Sequence, residues 1–221
     1  MSDTLKQKLK IAMPILLYGV IYVIVFHYLE VREVRQYYIP ELMADQRIPF
    51  VPEFIVFYLG WFLWIPFICV YALFTDESAF RKTGLYLCLG MTFFLAISAV
   101  LPTKLYLRPL VVENTFFSQA VRILYHTDTS TNVFPSIHVY NTVAVLVCVF
   151  EAQGRLFQRK AFRLCAIGMS LGIILSTLFL KQHSILDVIG GLLLYPLIRF
   201  CCNLYADRKR TEAESETCVT E

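Results

Sequence analysis

The sequence predicts an all-α protein, a polytopic membrane bundle of six transmembrane helices. Three observations carry that expectation. Of the 221 residues, 57% are hydrophobic and only 17% charged, with a mean hydropathy of +0.60, whereas soluble domains carry about 25% charged residues. The apolar residues come in continuous runs rather than in period-2 alternation, which argues against a closed barrel. Five of the six runs approach the roughly 20 residues a helix needs to cross a hydrocarbon core.

The runs follow in order. Residues 11–29 come after Lys6, Lys8 and Lys10 and are not followed by a small-residue cleavage site, so they are expected to form a retained helix and not a leader. Residues 54–74, 84–101 and 161–180 are full-length candidates, and 184–205 closes the set. The fourth run, 139–152, is short unless its helix begins at Pro135, a residue suited to a first turn. Pro14, Pro66 and Pro196 fall within runs and are tolerated in membrane helices as kinks. Residues 30–53 mix acids, bases and aromatics and are expected to contain an interfacial helix. Residues 207–221 are charged and aperiodic, the composition of a disordered tail. One membrane domain over residues 1–206 remains.

The formal charge of +3 is too small to indicate a nucleic-acid partner. Its distribution says more. Thirteen of the twenty Lys and Arg residues fall on one side of the predicted membrane and seven on the other, with Lys104, Arg108 and Lys181 among the seven. The side richer in Lys and Arg is expected to be cytoplasmic, which places both termini inside a plasma membrane and these three residues outside. The seven cysteines have no metal-like spacing. Cys69, Cys88, Cys148 and Cys165 lie inside apolar runs, where a thiol serves as a small hydrophobe.

Chemistry concentrates in the connections that share that outer side. His183 and Asp187 are four residues apart, a spacing that on a helix would place them on one face. A carboxylate on one imidazole nitrogen fixes the tautomer and frees the other nitrogen as a nucleophile or base. His138 closes the stretch Pro135-Ser136-Ile137-His138, in which Ser136 stands where a helix should begin and can face an anion. Lys104, Arg108 and Lys181 supply donors suited to phosphate oxygens. Neither an Asp/Glu cluster for Mg²⁺ nor a three-His set for Zn²⁺ is visible, and no cofactor is implied. Two histidines, one orienting carboxylate and several cations point to metal-independent phosphoryl transfer.

In these residues the chain resembles the type 2 phosphatidic acid phosphatase (PAP2) superfamily of membrane lipid phosphatases and phosphotransferases, over about residues 84–205. The family's motifs read K-x6-R-P, P-S-x-H and S-R-x5-H-x3-D. Here Arg108-Pro109 matches the end of the first, Pro135-Ser136-Ile137-His138 the second, and Ser176, His183 and Asp187 the third at full spacing. Leu101 stands where the first motif has its lysine, and Thr177 where the third has its arginine. Lys104 and Lys181 are expected to replace those cations. The resemblance implies that His183 attacks phosphorus, Asp187 supports it, and His138 protonates the leaving lipid oxygen and then activates the acceptor. It also implies that Arg108, Lys104, Ser136, Lys181 and Ser176 hold the phosphate. The expected activity is hydrolysis of a lipid phosphate or diphosphate at the outer membrane face, the substrate resembling phosphatidic acid, phosphatidylglycerol phosphate or a polyprenyl diphosphate. Headgroup transfer is the alternative within enzymes. A non-catalytic lipid-binding or transport protein is the alternative outside them, disfavoured because the runs carry almost no charge away from the site.

Overall fold

Hydrophobic length sets the frame. In a computed structural model that describes residues 3–219, α1 (Asp3–Val31), α2 (Ile55–Thr75), α3 (Glu77–Val100), α4 (Phe116–Thr127), α5 (Ile137–Glu151), α6 (Lys160–Phe179) and α7 (Ile185–Val219) follow in sequence, and the described residues form no strand. Helices α1, α2, α3, α6 and α7 are each long and apolar enough to cross a membrane. Helix α5 is apolar but has 15 residues, about 22 Å of rise, less than a bilayer core. It packs against α2, α3, α6 and α7 at once, and Val139, Tyr140, Val145 and Val149 are fully buried. A helix enclosed by protein need not match the lipid thickness. The six predicted runs thus correspond to six helices, five of them full-length spans.

The seventh helix, α4, lies elsewhere than expected. Residues 30–53 form no interfacial helix beyond the end of α1; they hold one 3-10 turn, Asp45–Arg47, and lead into a second, Pro52–Phe54. Pro40, Pro49 and Pro52 each remove a backbone donor and break a helical run. The backbone pairs instead with the connection after α3: Tyr38 N donates to Pro102 O and Lys104 N to Tyr38 O, both at 2.9 Å. The amphipathic helix falls between α3 and α5, where α4 buries Val121 and Leu124 and exposes Phe116 and Ile123. That pattern suits a helix lying along an interface.

Two boundaries also differ. Helix α5 starts at Ile137 rather than Pro135, because the Ser136 side chain accepts from Val139 N as its N-cap. Helix α7 continues to Val219 through the segment whose composition predicts disorder. Ala, Glu, Lys and Arg there are good helix formers, and extending an existing helix avoids the cost of nucleation. The tail's last two residues lie outside the described ones.

Up-and-down connectivity brings the α1–α2, α3–α5 and α6–α7 connections to one end of the bundle. The opposite end is tied by ion pairs, Lys8–Glu77 at 3.7 Å, Lys82–Glu151 at 2.7 Å and Arg199–Glu151 at 2.6 Å. There Asp76 caps α3 by accepting from Ala79 N at 3.0 Å, and its other oxygen accepts from Gln153 N at 2.9 Å. These N–H groups hold the Asp76 carboxyl below its ordinary range. Asp76→Ala is expected to cost about 1 kcal/mol of stability in detergent at neutral pH. Because the folded-state value is depressed, the contribution is present above the ordinary carboxyl range and disappears as pH falls through the lowered value. Unfolding of both proteins across that range should show the gap closing in acid.

Candidate active site

The turn between α6 and α7 is held from every side. Gln182 N and His183 N both donate to Thr177 O at 3.0 Å, closing the end of α6. Lys181 adopts a left-handed φ of 53°, uncommon for a residue with a side chain. The surroundings impose it: Val51 N donates to Phe179 O at 3.1 Å, Tyr125 Oη to Leu180 O at 2.8 Å, and Lys181 Nζ to the carbonyls of Asp45 and Ile48. Burial draws the Lys181 ammonium below its ordinary value, opposed by the Asp45 carboxylate.

Helix α7 then begins with a capping box. Ser184 Oγ accepts from Asp187 N at 3.1 Å, and Asp187 Oδ2 accepts from Ser184 N at 2.8 Å. Asp45 Oδ1 accepts from Ile185 N at 2.7 Å. The same Asp187 Oδ2 lies 3.5 Å from His183 Nδ1, at the outer limit of a hydrogen bond, and such contacts tighten when the imidazole becomes charged. On the far side of the ring, His183 Nε2 is 3.4 Å from His138 Nδ1. The His183 tautomer that carries its proton on Nδ1, on the Asp187 side, leaves the Nε2 lone pair facing His138 Nδ1. Both histidines are buried, and the His138 ring rests on Tyr58 and Trp61 with centroids at 4.7 and 4.6 Å.

The two histidine segments are locked together by backbone. Ser136 N donates to Asp187 O at 3.0 Å, and a Cβ at Gly191 would sit 2.6 Å from Ser136 O. Glycine there lets α7 touch the start of α5. Two cavities meet at His138. The smaller, about 40 Å³, is lined by polar residues including Asp128, Thr129, Asn132, Gln182 and His183. The larger, about 720 Å³, is apolar and runs between α1, α2, α4 and α5.

A family model described as the PAP2 superfamily matches residues 83–209, more than half of the chain. The chain belongs to the PAP2 superfamily. No curated protein and no solved structure matches it. PAP2 proteins are generally phosphatases and phosphotransferases, and the five apolar helices make this one an integral membrane protein.

Within this PAP2 site the structure unites His138, His183 and Asp187 and disperses the expected phosphate holders. Arg108 is close, since its guanidinium donates to the Gln182 side chain, but it also donates to the carbonyls of Asp128 and Thr129, each at 2.7 Å, and lies over the Tyr125 ring. It thereby satisfies carbonyls at the C-terminal end of α4. Burial pulls the guanidinium below its ordinary value, opposed by the Asp128 carboxylate, and burial pushes the Tyr125 phenol up to about 12. The Lys104 ammonium lies over the Tyr37 and Tyr106 rings at 5.7 and 5.3 Å. Neither Lys104 nor Lys181 lines the cavities at the histidines. Ser136 Oγ serves the N-cap, and Ser176 Oγ donates to Ile173 O at 2.6 Å within its own helix.

Sequence reasoning missed Asp45, Asp128 and Gln182. Asp45 is fully buried, and nothing in its own connection marks it as the cap of a helix 140 positions away. Asp128 accepts from Tyr58 Oη at 2.9 Å; its place just after α4 and before the Pro-Ser-Ile-His stretch was the available signal. Gly191→Ala should push the Ser136 backbone away from α7 and separate the histidines. A loss of turnover of about tenfold or more is expected with helical content retained, read by activity beside circular dichroism.

Proposed function

We propose that this PAP2 protein is a metal-independent lipid phosphatase that works through a phosphohistidine on His183. The Asp187–His183–His138 alignment carries this reading. Asp187 holds Nδ1–H, which leaves Nε2 as the nucleophile, and His138 Nδ1–H is directed at the same point. In the first step the Nε2–P bond forms and the P–O bond to the lipid breaks, while the His138 proton passes to the leaving oxygen. In the second, His138 takes a proton from water as it attacks phosphorus, and the N–P bond breaks to release phosphate and free His183. The guanidinium of Arg108 supplies positive charge from the edge of the site. The substrate is a lipid phosphate or diphosphate, and the lysine-poor side carrying the site faces outward, with both termini cytoplasmic.

Headgroup transfer is the second reading, and one observation favours it. The polar cavity is lined by Asp128, and the Glu30 carboxylate behind it accepts from Thr129 and Thr131, while the expected lysines are engaged elsewhere. Such a charge balance receives a monoanionic diester more readily than a dianionic phosphate.

Purified protein in mixed micelles with EDTA, offered a panel of lipid phosphates, decides between these. Phosphate release that persists in EDTA and falls by on the order of a thousandfold or more in His183→Ala supports the phosphatase; a new phospholipid without free phosphate supports transfer. Asp187→Asn, which disturbs the tautomer, should lower kcat by about 10²- to 10⁴-fold. Since His183 must start neutral and His138 protonated, kcat against pH should be bell-shaped; a flat profile would overturn the paired roles.

A further inference from the structure

The seam between α1 and α2 leaves space at both ends of the bundle, because α1 packs mainly on α3 and barely touches α2. Toward the histidines the seam holds part of the large cavity. Toward the other end it holds a separate apolar groove of about 340 Å³. Ala12, Leu73 and Phe80 form the buried floor of this groove, while Leu9, Val70 and Phe74 on its rim are exposed. From Leu5 to Leu16 its α1 wall rises about 16 Å, close to one leaflet's share of a hydrocarbon core of about 30 Å. The lining is hydrocarbon and one thiol except for Lys8, which stands near the end away from the histidines.

Lys8 is a cation with spare capacity. Its ammonium has three donors, and its described partner, Glu77 Oε2, lies at 3.7 Å, beyond ordinary hydrogen-bond reach. Arg81 holds the same carboxylate more closely, with Nε and Nη2 each 2.9 Å from Oε1. The Lys8 side chain keeps 18% of its surface exposed, so a ligand can reach it. Lys6 and Lys10, two residues to either side in α1, add to the positive field at this end. We propose that the groove binds one acyl chain of an anionic glycerophospholipid whose phosphate sits on Lys8. Charge complementarity names this occupant: a long apolar groove with an ammonium at its end matches a hydrocarbon chain with an anion at its head. The lipid gives α1 the packing that α2 does not. The site lies at the end of the bundle opposite the histidines and stands whatever reaction they perform.

The test titrates the full chain in neutral detergent with dioleoyl phosphatidylglycerol and, separately, dioleoyl phosphatidylcholine. Bound lipid is read by native mass spectrometry, beside the Tm of unfolding. Phosphatidylglycerol should bind about fivefold more tightly and raise Tm more at equal concentration. Lys8→Met, which keeps the apolar stem, should abolish that difference, and Lys8→Arg should keep it. Val70→Trp, which crowds the groove from an exposed rim position, should weaken the binding of both lipids. Glu77→Gln separates lipid binding from the ion pair: it leaves the ammonium in place and should preserve or increase the phosphatidylglycerol preference. Glycerol 3-phosphate offers the anion without the chain and should not raise Tm. Equal affinity for the two lipids in the wild type, or a preference that survives Lys8→Met, would overturn the proposal. So would loss of the preference in Glu77→Gln, unchanged binding in Val70→Trp, or protection by glycerol 3-phosphate alone.

Discussion

Asp187 is the constraint on which the rest of the site depends. One carboxylate oxygen closes the first turn of α7 through Ser184 N and stands beside His183 Nδ1, while the residue's own carbonyl accepts from Ser136 N. Helix start, imidazole orientation and contact between α5 and α7 therefore share one residue. An acid at this position is already favoured by the helix dipole, and its burial keeps competing water away from the ring. The same oxygen thus caps the helix and stands beside the imidazole of the turn that precedes it.

The bundle supplies what a single turn cannot. Helix α5, enclosed by four neighbours, places His138 at a fixed depth, and Gly191 permits the backbone contact that sets its distance from His183. Tyr58 and Trp61 then restrict the His138 ring. One imidazole is thus held on a helix and the other in a turn fastened by hydrogen bonds from its neighbours, which suits chemistry that depends on alignment more than on motion. The small cavity and the large apolar one meet at His138, so the ring pair stands between a narrow space with several polar side chains and a wide hydrocarbon-lined one.

The frame is legible because membrane helices are written in long apolar runs; the histidine–aspartate pair does meet, but not on one helical face, because His183 lies in the turn before α7 and reaches Asp187 as that residue caps the helix start. What escaped the sequence is contact between distant segments. Lys181 and Lys104 were expected at phosphate, and each has the charge and the neighbourhood for it. Yet a lysine beside carbonyls that lack donors satisfies them, as Lys181 does for Asp45 and Ile48, and a lysine between two tyrosines rests on their rings. Asp45 had no local signature at all, since its partner Ile185 lies in the last helix. The composition of residues 30–53 suggests an interfacial helix, but Pro40, Pro49 and Pro52 interrupt that stretch, and the amphipathic helix forms as α4 instead.

The clamp on the α6–α7 turn has a further consequence for how this protein is put together. Asp45, Ile48 and Val51 all fasten that turn, and all three precede residue 83, where the PAP2 match begins. The region that carries the family's signature is therefore not a self-sufficient module. Its histidine-bearing turn is completed by an earlier stretch, which contributes one carboxylate and two carbonyls. The matched region and the unit that packs around the turn therefore have different borders.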